Sequence, residues 1–118
     1  MVTFFIDLKR IEELKEQMGV DIFKPLFARY INEAEKMIVD LSEPSAKNQD
    51  VSVLIREIHK VAGSSAAFGA TEMQKVLNRL EMLGKESDAY TVVSQLGELK
   101  EIWDASKKSY QDEGLLNA

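Results

Sequence analysis

Apolar residues recur along this chain at intervals of three and four and almost nowhere alternate, which predicts helices rather than strands. A first helix is expected over about Leu8 to Met18, with Asp7 as N-cap, Leu8, Ile11 and Leu14 on one face and Gly19 as its stop. A second runs from about Asp21 to Leu41 on a stripe of Phe23, Leu26, Phe27, Tyr30, Ala34, Met37, Ile38 and Leu41. Pro25 falls in its first turn, where a missing N–H costs little. Residues 42 to 50, SEPSAKNQD, are polar and proline-containing and read as a loop. A third helix covers about Val51 to Phe68 before a break at Gly69, and a fourth covers about Thr71 to Gly84 on Met73, Val76, Leu77, Leu80 and Leu83. A fifth, about Asp88 to Tyr110, presents Val92, Val93, Leu96, Leu99, Ile102 and Trp103.

Short connections between amphipathic helices favour antiparallel neighbours. The expected fold class is therefore all-α: an antiparallel up-and-down four-helix bundle over residues 21–112, an additional N-terminal helical segment over 1–20 and a frayed tail over 113–118. A chain of 118 residues suits one such domain with one core. A bundle has no cleft by default, so function is expected on a helix face.

Composition narrows the partners. Net charge is −5 and the isoelectric point is near 4.9, with Lys and Arg scattered along the chain, so nucleic acid is not expected as a partner and another protein is. The apolar start MVTFFI is interrupted by Asp7 and lacks a basic leader, and no apolar run approaches membrane-spanning length. With no cysteine and one histidine, a zinc site is not expected, and the cytoplasm is the expected compartment.

That histidine, His59, opens the stretch HKVAGSSAAFGA. At about 100° per residue, Val51, Leu54, Ile55, Ile58, Ala62 and Ser65 gather on the core side of the third helix and His59 stands at the border of that stripe. Side chains at i and i+4 ordinarily cover one another, and the residue one turn after His59 is Gly63. Two explanations fit the small residues: Gly63 uncovers the ring, or Gly63, Ser64, Ser65, Ala66 and Ala67 make room for a closely packed helix. Ser64 points about 140° away from His59 on the same helix, so a hydrolytic Ser–His pair is not expected.

His59, Gly63, Ser64, Ser65 and Gly69, with the apolar stripe before the histidine and the pair Leu80-Glu81, resemble the signature of histidine-containing phosphotransfer (HPt) domains over about residues 21 to 112. The resemblance implies a four-helix bundle that carries a phosphoryl group on His59 and exchanges it with a receiver-domain aspartate in two-component signalling. The chain would be a carrier and not an enzyme, with no cofactor of its own: Mg²⁺, the aspartate and a lysine would come from the receiver. Partners would be response-regulator receivers and a sensor or hybrid histidine kinase, and the chain itself a monomer. One departure is Ala62, where many members carry a basic residue. The opening Met1 and the trailing C-terminus suggest a free-standing chain rather than a piece of a hybrid kinase.

The chemistry asks for a neutral imidazole held in one tautomer. Glu81 is the expected orienting partner, on the resemblance, with Gln74 and Asn78 as weaker alternatives and a solvated helix-end glutamate as the other reading. A carboxylate there orients the ring but also favours its protonated form. Lys60, Gly63 and Ser64 are expected to support the site, and Arg56, Lys60, Gly63 and Lys85 to meet the partner, whose pocket is acidic. The rival function is a helical adaptor that binds a partner without phosphorylation.

Overall fold

The computed structural model describes residues 5–116, so the first four residues of the apolar start and the last two of the tail lie outside it. Six α-helices follow in order: α1 Leu8–Met18, α2 Val20–Ser42, α3 Val51–Ala67, α4 Thr71–Glu86, α5 Ala89–Val93 and α6 Leu96–Asp112. The four long helices close a ring in which α3 packs on α2 and α4, and α6 on α4 and α2. This is the expected all-helical bundle, with α1 as the additional helix lying across α2 and α3. No helix of the described residues is long and apolar enough to cross a membrane.

Local chemistry fixes the ends. The Asp7 carboxylate accepts from the Arg10 N–H and caps α1, and that of Asp50 accepts from the Ser52 N–H at the start of α3. At the end of α3, Gly69 takes φ +69° while the Ala70 N–H reaches the Ser65 carbonyl and the Gly69 N–H that of Ala66, a Schellman closure. A side chain at Gly69 would also stand 2.8 Å from the Asp7 carbonyl oxygen. Only glycine therefore lets the start of α1 dock there, through the Asp7 N–H to the Gly69 carbonyl at 2.7 Å.

The core that anchors α3 is rich in aromatics. Phe68 lies 5.3 Å from Tyr30 and 5.7 Å from Phe27, and Phe27 meets Tyr110 edge-on at 4.9 Å. Contacts of this kind add about 0.5–1.5 kcal/mol each beyond the area they bury. The buried polar atoms are matched: Tyr30 and Ser65 share a hydrogen bond of 2.8 Å, and the Tyr110 hydroxyl donates to the Phe68 carbonyl at 2.7 Å. The last turns of α3 are thus braced by α1, α2 and α6 together.

The structure departs from the sequence expectation in several places. The fifth helix is two, α5 and α6, interrupted at Ser94 and Gln95, because α5 turns aside to pack on a single 3-10 turn at Ala46–Asn48 within the polar loop. Ala46 in that turn is fully buried. Gly84 does not end α4: it lies inside the helix, where a Cβ would come within 2.8 Å of Ile55, so glycine permits the close approach of α3 and α4. Pro25 sits in the second turn of α2, since the helix starts at Val20. Leu26 is exposed, and Ile31 takes a place in the core. In the expected tail, Gly114 closes α6 with φ +74° and the Leu115 N–H bonds the Tyr110 carbonyl, which brings Leu115 and Leu116 against the core.

Candidate functional site

His59 lies near the middle of α3 and its side chain is 74% exposed, whereas Ile58 and Val61 beside it are buried. The helix period explains the contrast: those neighbours point into the bundle and His59 stands on the rim, facing α4. There its Nδ1–H donates to both carboxylate oxygens of Glu81, at 2.9 and 3.1 Å. A carboxylate can only accept, so the contact places a proton on Nδ1. Among the described residues nothing bonds Nε2, which leaves that nitrogen facing solvent.

Glu81 is itself held. It is only 15% exposed, and the Lys85 ammonium, one turn later on α4, reaches its Oε2 at 3.2 Å. The hydrogen bond from His59 lowers its pKa below the usual carboxylate range; slight burial opposes this and Lys85 adds to it. Glu81 is therefore an oriented, ionised acceptor between two donors. Neither Gln74 nor Asn78 bonds the ring.

On the α2 side of α3, Lys60 reaches Glu33 Oε1 at 3.4 Å, and Arg29 bonds the same carboxylate at 2.9 Å. Partial burial works to raise the pKa of Glu33, but the two cations outweigh it and the net shift is downward. This bridge stands between two shallow grooves of about 340 and 330 Å³. Val53, Arg56 and Glu57 line the first, and Leu26, Arg29 and Ser64 the second. Ser64 thus faces away from the imidazole. Ala62 is 4% exposed, so no charge stands beside the ring at that position.

Gly63 separates the two explanations offered for the small residues. It is exposed, and a Cβ built there would meet nothing within 4 Å. No helix packs against it, whereas Ser65 and Ala62 are buried, so close packing accounts for those two and not for the glycine.

Of the expected site residues, the structure brings His59, Glu81 and Lys85 together by direct contacts and places Gly63 one turn along from the ring. It ties Lys60 to Glu33 and leaves Arg56, among the described residues, without an ion pair. Sequence reasoning missed Glu33, which lies 27 positions from Lys60 and gives no local signal. The Glu81–Lys85 contact was legible as an i, i+4 pair with the acid first.

A family model for the Hpt domain matches residues 20–108. No curated protein and no solved structure gives a match. With that match over most of the chain, on a helical bundle that carries an exposed, oriented histidine, the chain belongs to the Hpt domain family, whose members carry out histidine phosphotransfer in two-component signalling.

Proposed function

We propose that this chain is a cytoplasmic, monomeric phosphorelay carrier that accepts a phosphoryl group on Nε2 of His59 and passes it to or from the aspartate of a receiver domain. The observation that carries the reading is the state of one imidazole: Nδ1–H is pinned at 2.9 Å by Glu81, while among the described residues Nε2 meets no partner and the position one turn on has no side chain.

The Nε2 lone pair attacks phosphorus in line, the N–P bond forms, and the P–O bond to the donor aspartate breaks with its electron pair leaving on the carboxylate. The proton on Nδ1 stays in place. The ring therefore becomes cationic as the N–P bond forms, and Glu81 faces that charge from a fixed position. In the return step a receiver carboxylate oxygen attacks phosphorus, the P–O bond forms as the N–P bond breaks, the pair of that bond goes back to Nε2, and the ring is neutral again. Rigidity of α3 supplies the alignment on which such a transfer depends.

The receiver supplies Mg²⁺, the aspartate and a lysine, and a sensor or hybrid kinase stands upstream. Arg56 and Lys60 flank His59 and meet the acidic rim of the partner, Gly63 gives the partner room, and Ser64 keeps the next turn small. Incubation with a phosphorylated receiver tests the reading. Label should pass to the wild-type chain and not to a folded His59→Gln variant; equal labelling of the two removes His59 from the chemistry, and no label on either chain leaves the adaptor reading.

A further inference from the structure

Glu81 acts on a nucleophilic imidazole in two opposed ways. A carboxylate on Nδ1 fixes the tautomer, yet it also favours the protonated ring, whose Nε2 has no lone pair to give. The neighbouring Lys85 ammonium touches the same carboxylate, at 3.2 Å from Oε2, from a position one helical turn away. The nearest cations in sequence, Arg56 and Lys60, stand on α3 itself, and on the α2 side of that helix lie Glu33 and Arg29. Lys60 and Arg29 are both committed to Glu33, so Lys85 is the cation that shares an acceptor with the histidine.

We propose that Lys85 is a positioning residue for His59 that acts through Glu81: it holds the carboxylate in the orientation that pins Nδ1 and takes up part of its charge, so that more of the imidazole stays neutral. Orientation and nucleophilicity, which a bare carboxylate sets against each other, are reconciled by a cation behind the acid. Lys85 is 62% exposed, and solvent screening makes the effect modest. The consequence for transfer rests on His59 being the phosphoacceptor, whereas the effect on the ring does not.

The single histidine makes the test direct, since its Cε1–H resonance is the only one of its kind in the chain. Titration by NMR compares wild type with Lys85→Gln and Lys85→Arg, each alone and combined with Glu81→Gln. Lys85→Gln should raise the midpoint by about half a pH unit, roughly a three-fold change in the ratio of protonated to neutral ring at fixed pH. Lys85→Arg should keep the wild-type midpoint. In the Glu81→Gln background the Lys85→Gln shift should fall to less than half. An unmoved midpoint, or the same shift in both backgrounds, overturns the proposal; the latter would mean that Lys85 acts on the ring directly through space.

Phosphorylation by phosphoramidate, which needs no receiver, supplies the second readout. Relative to wild type, the rate for Lys85→Gln should be about three-fold lower at pH 6 than at pH 8.5, where only the loss of orientation remains. If the midpoint moves as stated but His59 takes no label, the carrier reading fails and the role of Lys85 stands. If His59 is labelled with the same pH profile in both chains, the role of Lys85 fails and the carrier reading stands.

Discussion

Gly63 offers a substitution that should raise stability and lower function together. It lies well inside α3, twelve residues after Val51 and four before Ala67, so the backbone there is helical and glycine is at its least favourable. A new Cβ meets nothing within 4 Å. Alanine should therefore gain the helix-propensity difference without any clash, about 0.8–1 kcal/mol. For a domain of this size that corresponds to an increase in melting temperature of about 4 °C. Glutamine should gain slightly less. Its longer chain, however, leans toward the N-terminal turn of its own helix, where His59 is. Displacing the approach to Nε2 by an ångström is enough to slow an in-line transfer by up to about a hundred-fold. Urea denaturation gives the first quantity, and single-turnover transfer from a phosphorylated receiver the second. We expect Gly63→Ala to be more stable and to transfer within a few-fold of wild type, and Gly63→Gln to be more stable and at least ten-fold slower. Wild-type transfer by Gly63→Gln would refute the assignment of this glycine to access, and a destabilised Gly63→Ala would refute the open surroundings on which the magnitude rests.

Two further predictions concern the scaffold. Tyr30→Phe and Ser65→Ala each leave one partner of a buried 2.8 Å hydrogen bond unmatched and should cost about 1–3 kcal/mol, with the double variant costing less than the sum, as read by denaturation of all four chains. Burial, with the neighbouring Asp40 carboxylate, raises the pKa of Glu57. The stability contributed by its protonated form is complete below the ordinary glutamate range, near pH 4, and is lost as pH rises through the elevated folded value. Glu57→Gln should accordingly be more stable than wild type at pH 7, with a gain that vanishes on acidification below about pH 4. An equal gain at both pH values would show that the ionised carboxylate is not the cause.

The helices were legible wherever a local signal set their ends. Asp7 and Gly19 bound α1 because a side-chain cap and a positive-φ glycine act within a few residues, and both are visible in the sequence. Gly69 ends α3 for the same reason. The failures have a different origin. Gly84 has the sequence appearance of a stop, yet its role is to admit Ile55 from another helix, a contact that no window around residue 84 contains. The break at Ser94 and Gln95 has neither glycine nor proline to announce it, and the apolar period runs through it from Val92 to Leu96. What turns α5 aside is its packing on the 3-10 turn at Ala46–Asn48, in a loop that polarity alone described as featureless.

The site divides along the same line, with one consequence for how a partner is met. The border position of His59 and the missing cover at Gly63 follow from helical periodicity, so both were readable. The charge balance was not. Counted along the sequence, Arg56, Lys60 and Lys85 form a basic cluster suited to an acidic receiver, but the fold gives Lys60 to Glu33 and Lys85 to Glu81. Exposed ion pairs of this kind hold by about 1 kcal/mol or less, so a partner carboxylate can draw Lys60 from Glu33 at little cost while Lys85 stays behind Glu81. The attraction offered to a receiver is therefore partly latent: weak while the Lys60–Glu33 pair is closed, and stronger once an incoming acid competes with Glu33. Electrostatic steering should accordingly be small for the free chain, and the salt dependence of transfer should come more from the lifetime of the docked complex than from the rate of encounter.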